Sequence, residues 1–201
     1  MDNTFSYAAP ENHVAHRPGL SPTLRGGLID VPREAWENDP RFRGEPQVWL
    51  QIHHGLLAAA AELPRRCERL LLAAEADDGD RLKRYLVETR DLAVQLTRHA
   101  HGHHHIEDHH FFPLFARAVP ALSAHLELLD GDHRVLAETL DEMERATAAL
   151  PSRPEESAAE RRDALLGPTE RLLEASGRFD TLFRRHIGDE EEICIPIMLR
   201  A

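Results

Sequence analysis

The stretch HAHGHHHIEDHHFFP, residues 99–113, decides how the rest of this sequence is interpreted. It places seven of the chain's 14 histidines within twelve residues, around a single Glu-Asp pair. An affinity tag does not explain the run, because it is internal and continues an amphipathic segment, RLKRYLVETRDLAVQL. The histidines therefore need an explanation within the fold.

The composition is that of a globular protein. The chain has 201 residues, of which 42% are hydrophobic and 29% charged, enough for one domain with a real core. Its formal net charge of -11 argues against partners such as nucleic acid or anionic membrane. We find neither a membrane-spanning run nor a secretory signal, so we expect a cytoplasmic protein. Cys67 and Cys194 have no CxxC spacing, which disfavours a disulfide framework or a thiolate zinc site.

Hydrophobic periodicity separates an irregular beginning from a helical remainder. Residues 1–45 are rich in proline and have no sustained period, which predicts an extended N-terminal arm or cover. From residue 46 onward, apolar residues recur at alternating steps of three and four, in four long stretches. Pro64 should kink or split the first of these helices. We therefore predict an all-α fold, an antiparallel up-down-up-down four-helix bundle over residues 46–201.

An internal repeat relates the two halves of this bundle. HIGDEEEICIP, from His186, aligns without a gap on HHHIEDHHFFP, from His103. Upstream, HRVLAETLDEM, from His133, aligns on HHGLLAAAAEL, from His53. The chain is thus two copies of one helical hairpin, and each copy supplies one histidine from its first helix and an H-x-x-x-E pair from its second.

This pattern predicts a metal site in the bundle core. In H-x-x-x-E the imidazole and the carboxylate lie one turn apart on nearly the same helix face, so both point into one volume. An unpaired carboxylate in an apolar core is costly, and a cation would supply the missing charge. Imidazole and carboxylate without thiolate suit iron or manganese, and zinc can use the same ligands. The predicted ligands are His53, His103, Glu107, His133, His186 and Glu190.

Several neighbouring residues leave alternatives open. His54 competes with His53 for the first helix, and we favour His53 because its stripe continues through apolar positions. His110 continues the stripe of Glu107, so it is a candidate for a fifth nitrogen ligand or an outer group. Asp108 and Glu191 follow the two glutamates and are either acceptors for ligand histidines or solvated side chains, which we favour. His99 lies one turn before His103 and could orient it. The other four histidines of the run are expected on flanking or outer faces: His101, His104, His105 and His109.

Together these motifs resemble the hemerythrin-like, HHE cation-binding family. The resemblance covers roughly residues 46–198 and rests on His53 with Leu56, HHHIED with FFP, DHRVL, and HIGDEEEICIP. It implies a four-helix bundle that holds two iron ions with an oxo or hydroxo bridge. In that arrangement the four histidines of the predicted site are terminal ligands, and Glu107 and Glu190 are bridges.

The chain also departs from the oxygen-carrying hemerythrins. Their third helix carries two histidines four residues apart, where this chain has Ala137 after His133. Their last helix has H-x-x-x-x-D, where this chain has H-x-x-x-E. We therefore expect a di-iron protein that binds or reacts with a small oxidant, namely dioxygen, peroxide or nitric oxide, with peroxide decomposition as a candidate enzymatic activity. The alternative is a non-catalytic protein that stores or senses iron or is held together by zinc; the sequence points to no protein partner.

Overall fold

A computed structural model describes residues 5–76, 78–152 and 158–200, and in these ranges the chain is all-helical, without strands. Two 3-10 helices, Arg33–Asn38 and Pro120–Leu122, and a π-helix, Glu107–Phe111, complete the described elements. The predicted all-α class is confirmed, and the up-down order of the helices stays a prediction. The α-helices are α1 (Pro22–Gly26), α2 (Glu45–Glu75), α3 (Gly79–Ile106), α4 (Phe112–Ala118), α5 (Ser123–Ala148) and α6 (Ala158–Arg200).

The long helices bury the stripes that their periodicity predicts. On α2 the residues at the predicted spacing, from Trp49 through His53 to Leu70, are all buried. The predicted split at Pro64 does not occur, because α2 is continuous through that residue. Leu63 and Cys67, on either side, are fully buried, and such packing stabilises a helix beyond its local propensity.

The chain forms two compact units. The first comprises the described residues of 1–55, 103–136 and 182–201, and the second those of 56–102 and 137–181. The second unit has an aliphatic core that includes Leu63, Leu96 and Leu140. No helix of the described chain combines the length and the apolar character that crossing a bilayer requires.

The first unit includes the N-terminal segment, by which we mean residues 5–44. This segment is not extended: it consists of turns, α1 and a 3-10 helix. Within it, the Trp36 indole N–H donates to the carbonyl of Val31 at 2.9 Å, which satisfies a buried polar group. Residues 1–4 of the predicted arm lie outside the described residues, as do residues 153–157 between α5 and α6. The segment's contribution to the apolar core of the unit is Leu20, Leu24, Val31, Trp36 and Phe42.

Candidate metal centre

All six predicted ligands lie in the first unit, on five different elements. Each is buried except His103, whose side chain is still only 9% exposed. A polar cluster of this size in an apolar core needs a compensating partner, since each unpaired polar group carries a desolvation cost. The residues come from α2 (His53), the end of α3 (His103), the π-helix (Glu107), α5 (His133) and α6 (His186 and Glu190).

The four histidines meet as two pairs. The Nε2 atoms of His53 and His103 lie 3.0 Å apart, and those of His133 and His186 lie 3.2 Å apart. Two nitrogens bound to one ion at about 2.1 Å and at a right angle would lie about 3 Å apart. Each pair therefore has the spacing of two imidazoles that share a cation.

The two glutamates each face both histidine pairs. Oε1 of Glu107 lies 2.9 Å from Nε2 of His103, and its Oε2 lies 3.5 Å from Nε2 of His133. Oε1 of Glu190 lies 3.3 Å from Nε2 of His53, and its Oε2 lies 3.2 Å from Nε2 of His186. Each carboxylate thus presents one oxygen to each pair, which is the arrangement of a bridging ligand.

Three of the histidines are oriented by carboxylates on their other ring nitrogen. Nδ1 of His133 lies 2.7 Å from Asp108, Nδ1 of His53 lies 3.1 Å from Glu191, and Nδ1 of His186 lies 3.2 Å from Asp132. When the Nδ1 proton is donated to a carboxylate, the Nε2 lone pair is left for a metal.

The favoured expectation for Asp108 and Glu191, solvated side chains, is therefore wrong, and the alternative of acceptors for ligand histidines holds. Asp132 was not among the predicted residues. It precedes His133 in sequence but contacts His186, which lies 54 residues away on α6. No local spacing could reveal that pairing.

Buried oxygens without donors show that the donor set fits a cation. Neither oxygen of Glu107 nor Oε2 of Glu190 has a hydrogen-bond donor in suitable geometry, although Oε1 of Glu107 is close to His103 and Oε2 of Glu190 is close to His186. Buried polar atoms are normally satisfied, so such a concentration of unpaired acceptors indicates a site for positive charge. Two groups of four side chains have ligand atoms within 4.8 Å of one another: His53, His103, Glu107 and Glu190, and His104, Glu107, His133 and His186.

In the metal-free site, the facing carboxylates raise the pKa of two of the histidines. Burial lowers the pKa of His53, but Glu190 and the other facing glutamates more than offset it and raise the pKa well above 6.5. Burial likewise opposes charge on His186, yet Asp132 and Glu190 raise its pKa to about 9. Burial raises the pKa of Glu190, but the imidazoles of His53 and His186 outweigh this effect and hold the pKa well below its usual value.

His104 was expected on a flanking or outer face, and that expectation is wrong. Its ring is buried and stacks on His133, with centroids 4.2 Å apart. Its Nε2 has no hydrogen-bond partner, and burial followed by the nearby histidines lowers its pKa well below 6.5. On α3 it lies about 100° around the helix from His103. His103 therefore lies against His53, whereas its neighbour His104 lies against the pair of His133 and His186.

His54 and His110, the two further candidates, are both exposed. For His54 this agrees with the preference for His53. For His110 the reason is the π-helix at Glu107–Phe111, whose wider turn shifts the inward direction along the chain, so that Phe112 is buried instead. Ile193, the counterpart of His110 in the repeat, lies in an uninterrupted α-helix and is buried. His110 is therefore not among the buried side chains that surround the histidine pairs.

Apolar and aromatic side chains enclose the site. The Trp49 indole N–H donates to Oε1 of Glu190 at 2.7 Å and holds that carboxylate in place. Phe112 stacks on His133 with centroids 5.4 Å apart, and Phe183 lies 6.2 Å from His186. These rings keep bulk water from the ligand atoms, which strengthens electrostatic interactions among them.

Comparison with known proteins agrees with the site. No curated protein and no solved structure matches this chain. The family model described as the hemerythrin HHE cation binding domain matches residues 45–198, which include all six predicted ligands and leave out the N-terminal segment. Because the match covers most of the sequence, the chain belongs to the hemerythrin HHE cation-binding domain family.

Proposed function

We propose that this protein holds two iron ions between its histidine pairs and that the reduced pair reacts with a small oxidant: dioxygen, peroxide or nitric oxide. The observation that carries the proposal is the position of Glu107 and Glu190, each with one oxygen toward each pair. A single ion would not need two glutamates that each face both histidine pairs. Two ions that share both carboxylates account for it.

In this proposal, some side chains bind the ions, others orient the ligand histidines, and the aromatic rings exclude water. His53 and His103 serve one ion and His133 and His186 the other, which with the shared glutamates makes four protein ligands for each. Iron sites of this ligand type take more than four ligands, so positions stay open for a small molecule. Two ferrous ions supply two electrons, the number that converts one peroxide and two protons to two waters.

Iron loading tests the proposal directly. After anaerobic reconstitution, wild-type protein should contain two iron ions per chain. After oxidation, it should show near-ultraviolet charge-transfer absorption that changes when azide is added. The ferrous protein should consume peroxide faster than His186→Ala does. A zinc-filled, colourless protein that stays inert to azide and peroxide after reconstitution would support the storage or structural alternative and end this proposal.

Matched variants test the residue assignment. Glu107→Ala and Glu190→Ala should each lose at least one ion per chain, because each removes a ligand that two ions share. His53→Ala should lose metal, whereas the exposed neighbours His54→Ala and His110→Ala should keep two ions. Equal metal content in all five variants would contradict the assignment.

A further inference from the structure

A buried arginine of the N-terminal segment reaches the metal centre from outside the family domain. The guanidinium of Arg17 donates from Nη1 and Nη2 to the two oxygens of Asp132, at 2.8 and 2.5 Å. Its Nε donates to Asp189 at 2.8 Å. All three side chains have no solvent exposure, so the arginine lies in the interior of the first unit.

Asp132 connects this arginine to a metal ligand. Its Oδ2 accepts from Nδ1 of His186 at 3.2 Å, while Arg17 occupies both oxygens from the other side. A bidentate guanidinium fixes the plane of a carboxylate as well as its charge. Arg17 thereby fixes the direction from which Asp132 holds the imidazole of His186.

A second arginine of the segment makes the same connection on the other histidine pair. The guanidinium of Arg33 forms an ion pair with Oε2 of Glu191. Oε1 of that glutamate accepts from Nδ1 of His53 at 3.1 Å. Each histidine pair therefore has one member whose outer carboxylate is held by the N-terminal segment.

The fit of the segment at Asp132 depends on a glycine. The hydroxyl of Tyr7 donates to Oδ1 of Asp132 at 2.9 Å, and its ring lies directly over Gly131 of α5. A Cβ at residue 131 would lie 2.2 Å from a ring carbon of Tyr7. Only glycine permits this approach, so the sequence of α5 is adapted to the segment that covers it.

We propose that the N-terminal segment is a functional part of the metal centre, in which Arg17 and Arg33 are positioning residues for His186 and His53. The inference rests on the proposed metal centre and extends it beyond residues 45–198, the range of the family match. Partners that orient ligand histidines raise the basicity of the ligand and keep its tautomer, and their loss weakens metal binding about 10- to 100-fold. If the segment served only to cover the core, substitutions in it would not change the affinity for the metal or the spectrum of the metal centre.

The test compares three arginines of the same segment. Arg17→Met and Arg33→Met remove the two positioning groups, and Arg25→Met is the control. Arg25 pairs with Glu192 at 2.9 Å, but its side chain is 54% exposed and the pair touches none of the carboxylates that hold a ligand histidine. The measurements are the iron dissociation constant against a competing chelator, the ferric charge-transfer spectrum, and thermal unfolding of the metal-free protein.

We expect Arg17→Met to raise the iron dissociation constant about tenfold, the lower end of the effect of losing an orienting partner. Arg33→Met should raise it about two- to fivefold, because its ion pair is exposed. Both should shift the spectrum, with Arg25→Met unchanged. If Arg17→Met does not fold, Arg33→Met decides, because its side chain is 57% exposed and its loss should leave metal-free unfolding nearly unchanged. Wild-type affinity and spectrum in Arg33→Met, and in Arg17→Met if it folds, would overturn the inference while the proposed function stands. A wild type that binds no iron would overturn both.

Discussion

At the scale of single residues, adjacent side chains have different partners. His103 faces His53, while His104 stacks on His133, so two adjacent histidines contact different histidine pairs of the site. Glu190 and Glu191 divide their roles in the same way, one toward Nε2 of His53 and the other toward its Nδ1. A step of about 100° along a helix is enough to move a side chain from one partner to the next.

Metal affinity should rise with pH, because metal and protons compete for the same nitrogens. The pKa of His186 is about 9 in the metal-free site, so near neutral pH an incoming ion must displace its proton. Because the pKa of His53 is also raised, the apparent dissociation constant should fall by at least about tenfold for each pH unit up to about pH 9, and by less above it. Zinc competition against a chelator measures this without iron hydrolysis. A constant value between neutral pH and pH 9 would contradict the assigned charge state.

The stability of the metal-free protein should change in the opposite direction. A histidine whose pKa rises on folding stabilises the fold fully below its unfolded value of 6.5, and loses that contribution as pH rises through about 9. Urea unfolding of the metal-free protein over this range should show the decline. His186→Ala, as a control, should have a flatter dependence.

At the scale of elements, the π-helix decides which side chains reach the interior. It begins at Glu107, a proposed bridging ligand, and its wider turn changes the register for everything that follows on α4. π-helical turns inside α-helices often occur at functional sites. Here the turn places Phe112 against His133 and leaves His110 outside.

Two substitutions on this element should differ sharply. Phe112→Ala should lower the free energy of unfolding by about 3–5 kcal/mol, because it leaves a cavity beside His133. His110→Ala should change it by less than about 0.5 kcal/mol, since that side chain is exposed. Urea unfolding of the metal-free variants measures both. A larger loss for His110→Ala would mean that the helix continues in α geometry through this stretch.

At the scale of the whole molecule, the first unit is assembled from three separate parts of the chain. Its described residues come from 1–55, 103–136 and 182–201, and the site includes side chains from each part. A cluster of imidazoles and carboxylates contributes little to an apolar core by itself, so a bound cation should add substantially to the stability of this unit.

Metal removal should therefore lower the unfolding temperature. With free metal at about 100 times its dissociation constant, each bound ion adds about 2.7 kcal/mol, so two ions correspond to about 10–20 °C for a chain of this size. Differential scanning calorimetry of metal-free and loaded protein measures the change. His53→Ala should reduce the difference between the two forms, whereas His54→Ala should leave it intact. Identical midpoints for loaded and metal-free wild type would contradict metal binding by the folded state.

Local spacing in the sequence was sufficient for the helices and for six of the site's side chains. Helical periodicity and the repeated H-x-x-x-E pattern both extend over only one or two turns. They can therefore be recognised without knowledge of the tertiary contacts. They correctly indicated that His53, rather than His54, is buried. They also indicated the burial of Glu107 and Glu190. The assignment of these residues as metal ligands stays a prediction.

The remaining features were decided by tertiary structure. The π-helix leaves His110, a candidate that the sequence had left open, on the exposed side, because one wide turn changes the register without leaving a periodic signal. His104 is buried because its ring packs against His133 and His186, which lie on other helices. Arg17 contacts Asp132 across 115 residues, in a segment for which the sequence predicted an extended arm or cover and no contact with the site. The sequence predicted six candidate metal ligands. Only long-range packing placed His104 beside them and determined which side chains hold them in place, since such pairings have no fixed spacing along the chain.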